Sequence, residues 1–144
     1  MLPSSRKVAM LDTGFLYALF DPRESWHSEA ANRSDLIASL RLAIPWPCLY
    51  ETVNTRFIKE PIRAQRFDLL LKRPGVALID DAPYRDRAYE MTIDSAIRRR
   101  RPISLTDMVI RLMLEDVNVR AGFLFTFNPG DFADVCSRRG IEMS

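Results

Sequence analysis

The chain has 144 residues, of which 47% are hydrophobic and 28% are charged, and its formal net charge at pH 7 is +2. These values are ordinary for a globular protein, and the length suits one domain covering residues 1–144. So small a net charge does not by itself indicate nucleic-acid binding. The two cysteines, Cys48 and Cys136, are too few for a disulfide framework and lack metal-site spacing, so we expect buried, reduced thiols.

The sequence does not predict association with a membrane. Residues 1–7 are short and polar and lack the apolar core of a signal peptide. No apolar run approaches the roughly 18 residues that a membrane span needs. We therefore expect a soluble, cytoplasmic protein that does not contact a membrane.

Strand and helix patterns alternate along the chain. Apolar runs predict strands ending at Leu11 and over 42–45, 76–79, 123–126 and 140–143. Periodic or helix-favouring segments predict helices over 15–20, 24–42, 48–59, 62–71, 84–99 and 107–117, the last with Thr106 as its N-cap. This alternation predicts a three-layer α/β/α sandwich with a mainly parallel central sheet.

Acidic or amide side chains follow several of the predicted elements. They are Asp12 after the first strand, Glu51 in the third helix, Asp107 after Thr106, and Asn128 with Asp131 after the strand 123–126. The carboxyl ends of parallel strands share one edge, where ligands bind, so we expect these residues to converge. A cluster of oxygen ligands favours Mg²⁺ or Mn²⁺, which supports hydrolysis of a phosphodiester. Taken singly, each acid is better explained as a helix cap or a solvated residue, so only the joint pattern indicates a site.

Basic residues supply a second part of this pattern. Arginines at Arg98, Arg99, Arg100 and Arg101 precede Asp107 closely enough to lie near the same rim, and such clusters bind phosphates by charge. We assign them as candidate RNA-binding residues, although a basic run is usually a solvated face. A further basic series with three- and four-residue spacing consists of Arg56, Lys59, Arg63 and Arg66.

The tryptophans and the single histidine are interpreted as structural. Trp26 and Trp46 have rings that can stack on bases, but their bulk favours partial burial in the core. His27 begins the second predicted helix, where a packing role is favoured over general acid or base catalysis.

Four of these segments, in this order, match the motifs of a known family. The segment Leu11–Asp12–Thr13–Gly14–Phe15 resembles the opening of PIN-domain ribonucleases. Tyr50–Glu51 resembles the family's second acidic position, and Ser104–Leu105–Thr106–Asp107 is similar to its third. Phe127–Asn128–Pro129–Gly130–Asp131 resembles its last motif. Each motif is weak alone, but together they span nearly the whole chain.

The resemblance implies a PIN-like α/β/α fold and an endoribonuclease that cleaves single-stranded RNA with Mg²⁺ or Mn²⁺. It implies that Asp12, Glu51 and Asp107 are catalytic metal ligands and that Asn128 or Asp131 completes the site. The family includes the VapC toxins of bacterial toxin–antitoxin pairs. The resemblance therefore also implies a homodimer and an antitoxin protein as partner.

Position 128 departs from the family pattern, which often has Asp there. The amide oxygen of Asn128 is able to ligate a metal but adds no negative charge, so metal binding would be weaker. An RNA-binding module with a weakened or inactive site therefore stays open as an alternative.

Two other classes of protein fit the sequence less well. Asp12–Thr13–Gly14 is also the aspartic-protease motif, but that fold is all-β and glycine-rich, whereas this chain has 5 glycines and long helical segments. No G-x-G-x-x-G follows a strand, which excludes a dinucleotide-binding domain.

Overall fold

The structure is a computed structural model that describes residues 8–98 and 101–144. Its strands are β1 (Val8–Leu11), β2 (Arg41–Pro45), β3 (Val76–Ile79), β4 (Ala121–Phe125) and β5 (Glu142–Met143). Its helices are α1 (Thr13–Phe20), α2 (His27–Ala31), α3 (Ser34–Ser39), α4 (Trp46–Thr52), α5 (Thr55–Ile58), α6 (Pro61–Leu71), α7 (Ala82–Arg98), α8 (Leu105–Glu115) and α9 (Ala133–Arg139). A 3₁₀ turn covers Pro129–Asp131.

The strands form one parallel sheet in the order β3-β2-β1-β4-β5. The chain moves from β1 through β2 to β3 in one direction, and then places β4 and β5 on the other side of β1. Because parallel crossovers are right-handed, the helices before β3 cover one face and the helices after β3 cover the other. In agreement, α1 packs on α2, α4 and α6, while α8 packs on α7 and α9. The predicted three-layer sandwich is confirmed.

The core lies on both sides of β1 and under α8. Ala9, Met10 and Leu11 are fully buried, as expected for a parallel strand covered on both faces. Helix α8 is buried on most sides, through Met108, Val109, Ile110, Leu112, Met113 and Leu114. Cys48 and Cys136 are buried free thiols, as predicted. Among residues 8–98 and 101–144, no helix combines the length and apolar character needed to cross a membrane.

Two predicted helices are each divided in the structure. The segment predicted as one helix over 24–42 forms α2 and α3, and Leu40 is already extended before β2 begins. The break falls at Arg33, which leaves helical geometry and whose guanidinium donates to the carbonyl of Glu29 at 2.7 Å. The predicted helix 48–59 is divided at Asn54, which is extended and whose side chain accepts a hydrogen bond from the backbone of Phe57 at 3.0 Å.

The carboxyl-terminal part contains a helix that the sequence patterns do not predict. Helix α9 lies between the 3₁₀ turn and β5, and it ends at Gly140, whose φ is +67°. Glycine adopts this left-handed conformation without steric cost, which suits a helix C-cap. The last strand is accordingly shorter than the predicted 140–143.

The sheet has one point at which strand order reverses, between β1 and β4. The connections that follow these two adjacent strands run to opposite sides, which opens a crevice at their carboxyl ends. Asp12 directly follows β1, and Thr126 directly follows β4. The fold therefore provides a ligand-binding crevice where the first predicted site residue lies.

Candidate active site at the carboxyl edge of the sheet

Asp12 is fixed between β4 and α1. Its Oδ1 accepts a hydrogen bond from the backbone N–H of Phe15 at 2.8 Å and thereby caps α1, while its Oδ2 accepts one from the hydroxyl of Thr126 at 2.5 Å. Burial raises the pKa of Asp12 above its usual value, and the nearby charges of Glu51 and Asp131 act in the same direction against these two hydrogen bonds. The structure thus fixes the orientation of this carboxyl in a buried position that disfavours its ionised form.

Glu51 bridges the amino-terminal ends of two helices. Its Oε1 accepts a hydrogen bond from the hydroxyl of Thr13 at 2.6 Å, and its Oε2 accepts one from Thr106 at 3.1 Å. Thr13 begins α1 and Thr106 lies in the first turn of α8. Both oxygens of an exposed carboxylate are therefore directed into the crevice by residues from distant parts of the chain.

Asp107 lies in the first turn of α8, half-buried among the other acids. Burial, followed by a shared hydrogen bond and charge repulsion from Asp131 and by the charges of Asp12 and Glu51, raises the pKa of Asp107 to about 7. The cap of this helix is Ser104, whose Oγ accepts from the backbone N–H of Asp107 at 3.2 Å, so the prediction that Thr106 is the N-cap is wrong. The hydroxyl of Thr106 donates to Glu51 instead.

The last predicted segment adds Asp131 to the cluster. Asp131 is 8% exposed; its Oδ2 accepts from the side-chain amide of Asn128 at 2.6 Å, and its Oδ1 accepts from the guanidinium of Arg101 at 2.7 Å. Arg101 also donates to the carbonyl of Gly130 at 3.1 Å. Four carboxylates, from Asp12, Glu51, Asp107 and Asp131, therefore interact at one edge, with Asn128 beside the fourth.

The donor chemistry of this cluster fits a hard divalent cation. All the candidate ligands are oxygens. The pKa values of Asp12 and Asp107 are raised, first by burial and then by the charges of the neighbouring acids, and a cation would offset both effects. In the part of the chain that the structure describes, no three His, Cys, Asp or Glu side chains are already arranged around a common metal position. Each oxygen of Glu51 and of Asp131 accepts one hydrogen bond and keeps a second lone pair, so these contacts orient the carboxylates and leave them able to bind a cation.

The candidate RNA-binding arginines are engaged in ion pairs where they are described. Arg98 pairs with Asp94 at 2.8 Å, and Arg101 pairs with Asp131, while Arg99 and Arg100 lie outside the described residues. From the second basic series, Arg63 is buried, lies 3.7 Å from Asp21 and donates to the carbonyl of Phe57 at 2.9 Å. Arg63 therefore does not belong to an exposed basic surface, because its guanidinium bonds to groups inside the protein.

The side chains that sequence analysis missed are the three threonines that hold the acids. Thr13 and Thr106 both donate to Glu51, but in the sequence they adjoin the candidate acids Asp12 and Asp107. This adjacency was the signal that could have pointed to them. Thr126 had no such signal, since its contact with Asp12 joins residues 114 positions apart. His27 has the expected packing role, with Nδ1 2.7 Å from the carbonyl oxygen of Ala18.

Both tryptophans are exposed, so the prediction that they belong partly to the core is wrong. Trp26 is 50% exposed and stacks on Phe127, whereas Trp46 is 40% exposed and contacts the ring of Tyr50.

Comparison with known proteins defines the fold. No protein-family profile and no curated protein matches the sequence. Among solved structures, the chain is similar to VapBC2 from Rickettsia felis, determined bound to a DNA fragment from their promoter, with 17% identity, a TM-score of 0.61 and coverage of 95% of this chain and 97% of that chain. It is also similar to VapC20 from Mycobacterium tuberculosis, a sarcin-ricin loop cleaving toxin, with 17% identity, a TM-score of 0.65 and coverage of 88% of this chain and 94% of that chain. The protein therefore has the PIN-domain fold seen in VapC toxin structures.

Proposed function

We propose that this protein is a metal-dependent endoribonuclease that hydrolyses phosphodiester bonds of single-stranded RNA. The observation that supports this proposal best is the convergence of Asp12, Glu51, Asp107 and Asp131 at the crevice between β1 and β4. Four carboxylates from separate parts of the chain repel one another when ionised, which destabilises the fold unless a cation binds between them. Their assembly is therefore better explained by function than by stability. The fold shared with a toxin that cleaves the sarcin-ricin loop supports the same activity.

Asp12, Glu51 and Asp107 would hold Mg²⁺ or Mn²⁺, with Asp131 or Asn128 completing the set. The bound cation supplies Lewis acidity, which activates water and offsets negative charge on the phosphate. Thr126 and the Phe15 N–H orient Asp12, while Thr13 and Thr106 orient Glu51. Arginines near the rim, including Arg101, would hold the RNA backbone by charge.

Asp12→Asn tests this function directly. Asparagine caps helices as well as aspartate does, so the fold should persist while the charge at the centre of the cluster is lost. We expect Mn²⁺-stimulated cleavage of single-stranded RNA by the wild-type chain, and loss of cleavage in this variant and in the presence of a chelator. Asp68→Asn, which removes an exposed acid on α6 that pairs with Lys72, is the matched control and should cleave normally.

A second candidate function is an RNA-binding module with a weakened site. The contacts of Asp131 favour it, because Arg101 already neutralises this acid and Asn128 supplies no charge. Binding of RNA without cleavage of any RNA pool in Mn²⁺ would establish this alternative.

In its biological setting, we place the protein as the toxin of a VapBC-type pair. An apolar cavity of about 450 Å³ between α1, α3 and α6 supports an antitoxin partner, since it is lined by Leu19, Phe20, Ile37 and Leu70 together with Arg66 and Arg73. Apolar walls beside arginines suit an acidic amphipathic segment. Expression of the wild-type chain should arrest growth, whereas expression of Asp12→Asn should not.

We further place the protein as a homodimer. Tyr89, Ile93 and Ile97 are exposed at four-residue steps along α7 and form an apolar stripe. Light scattering should give twice the chain mass, and Ile97→Lys should shift the mass toward one chain.

A further inference from the structure

An exposed aromatic ring is anchored in the core through a stack of rings. Trp26 is 50% exposed and stacks on Phe127, with ring centroids 5.1 Å apart and planes inclined by 8°. Phe127 in turn stacks on Phe15, at 5.1 Å and 12°, and Phe15 is fully buried. Offset stacks of this kind fix ring orientation, so Trp26 presents its surface to solvent on a rigid support.

The residues that support this ring are also those that position the acids. Phe127 lies between Thr126, which holds Asp12, and Asn128, which contacts Asp131. The backbone of Phe15 donates directly to Asp12. The two rings beneath Trp26 therefore belong to residues that either contact Asp12 or adjoin residues that contact the acids.

A positive charge accompanies the aromatic stack. The guanidinium carbon of Arg33 lies 5.5 Å from the centroid of the Phe127 ring. Arg33 donates to the hydroxyl of Ser144 at 2.9 Å and to the carbonyl of Glu29 at 2.7 Å, both uncharged oxygens. Neither contact is an ion pair, and both orient the guanidinium beside the ring.

The other exposed tryptophan lies in a different electrostatic setting. Trp46 and Tyr50 share a cavity of about 440 Å³ with Asp80, Asp81 and Arg85. Arg85 pairs with Asp81 at 3.1 Å, so Asp80 leaves this surface negative. A phosphate chain is repelled there, whereas the aromatic stack beneath Trp26 has the Arg33 guanidinium beside it.

We propose that Trp26 is a stacking platform for one base of the RNA strand, next to the phosphodiester bound at the acidic cluster. Identifying the strand as substrate rests on the proposed ribonuclease function. Stacking on a protein ring needs a base with a free face, so the platform selects an unpaired nucleotide and tolerates any sequence. Replacing a stacking ring by alanine typically weakens binding by roughly 5- to 150-fold.

Fluorescence titration of a double variant, Asp12→Asn with Trp46→Phe, tests the platform without cleavage. The chain has 2 tryptophans, so Trp26 is the emitter that remains. The probes are a short oligoadenylate and an abasic strand of equal length, which carries the same phosphates but no bases. We expect quenching by the oligoadenylate and little quenching by the abasic strand.

Affinities in the Asp12→Asn background complete the test. Trp26→Ala should weaken oligoadenylate binding by roughly 5- to 150-fold, Trp26→Phe should retain most of the affinity, and Trp46→Ala should leave it unchanged. Equal affinities of Trp26→Ala and its parent, or equal quenching by both probes, would overturn the platform.

The two proposals fail separately. If the wild-type chain cleaves RNA and Trp26→Ala does not change RNA binding, the platform is excluded and the nuclease proposal stands. Base-dependent quenching of Trp26 with no cleavage in Mn²⁺ keeps the platform and removes the nuclease.

Discussion

Thr106 donates a hydrogen bond to Glu51 at 3.1 Å and so joins the first turn of α8 to the end of α4. The two residues are 55 positions apart in the chain. The hydroxyl is available for this contact because Ser104 already caps α8. Thr106 therefore acts as a positioning residue for an acid of the candidate site.

Thr106→Val should slow cleavage without unfolding the chain. Valine has nearly the same shape but leaves Oε2 of Glu51 without its donor, and a hydrogen bond to a charged group contributes about 1.5–3 kcal/mol. We expect kcat/KM for single-stranded RNA to fall at least roughly 10-fold. Thr106→Ser keeps a hydroxyl and is the control; equal rates for the valine and serine variants would exclude the positioning role.

In the absence of metal, stability should fall as the pH rises from about 4 to about 7. The pKa of Asp107 is raised from 3.8 to about 7 in the folded protein. Between these values the folded state binds more protons than the unfolded state, so raising the pH favours unfolding. Asp107→Asn should flatten this decline and raise the free energy of unfolding at pH 8 by about 1 kcal/mol, less than the full pKa shift because the site is open to solvent. Urea unfolding of both chains at pH 5 and pH 8, with chelator present, measures the difference; parallel curves would contradict it.

Mn²⁺ should stabilise the wild-type chain more at pH 8 than at pH 5. Protons compete with the cation for Asp107 and Asp12, whose pKa values are both raised. At a concentration 100 times its Kd, a bound ion adds about 2.7 kcal/mol to the free energy of unfolding. Thermal unfolding should show a Tm increase with Mn²⁺ that is lost in Asp12→Asn. A similar increase in both chains would place the bound ion elsewhere.

Asn128→Asp should strengthen metal binding while destabilising the metal-free chain. The Asn128 side-chain amide lies 2.6 Å from a carboxylate oxygen of Asp131, so an aspartate there adds a charge and removes a hydrogen bond. Without metal, we expect Tm to fall by several degrees; with saturating Mn²⁺, we expect recovery and a lower Kd by calorimetry. Unchanged affinity would show that position 128 does not reach the cation.

Arg63→Met should destabilise the fold but leave RNA binding intact. Arg63 is buried, lies 3.7 Å from the buried Asp21 and donates to the carbonyls of Phe57 and Arg56. Removing one partner of a buried pair leaves the other poorly satisfied, although Arg23 still bonds to Asp21, so we expect a loss of about 2–3 kcal/mol. Urea unfolding measures the loss, with the exposed Arg66→Met as control. A stable variant with weak RNA binding would show that Arg63 binds RNA and is not required for the fold.

The parallel sheet and the acids at its edge were predictable because both depend on local patterns. A short apolar run followed at once by Asp12 marks the end of a buried strand without knowledge of its neighbours. The same local reasoning could not choose between Ser104 and Thr106 as the cap of α8, since both are hydroxyl residues before an apolar periodic segment. The choice depends on Glu51, which is close only after the chain has folded.

Long-range contacts also explain the missed helix boundaries and the inward position of Arg63. Arg33 interrupts the predicted helix 24–42 while bonding to Ser144, which lies 111 positions away. Arg63 has the spacing of a surface series but turns inward toward Asp21, and charge periodicity carries no information on that direction. The sequence does not decide whether Asn128 or Asp131 completes the candidate site, because only folding shows that they contact each other.

The reversal of strand order between β1 and β4 also bears on biosynthesis. Asp12 precedes its partner Thr126 by 114 positions, so it is synthesised long before Thr126. Synthesis must therefore pass Thr126 before β4 can close the crevice. If the proposed activity holds, a chain interrupted before that point is harmless to the cell that makes it.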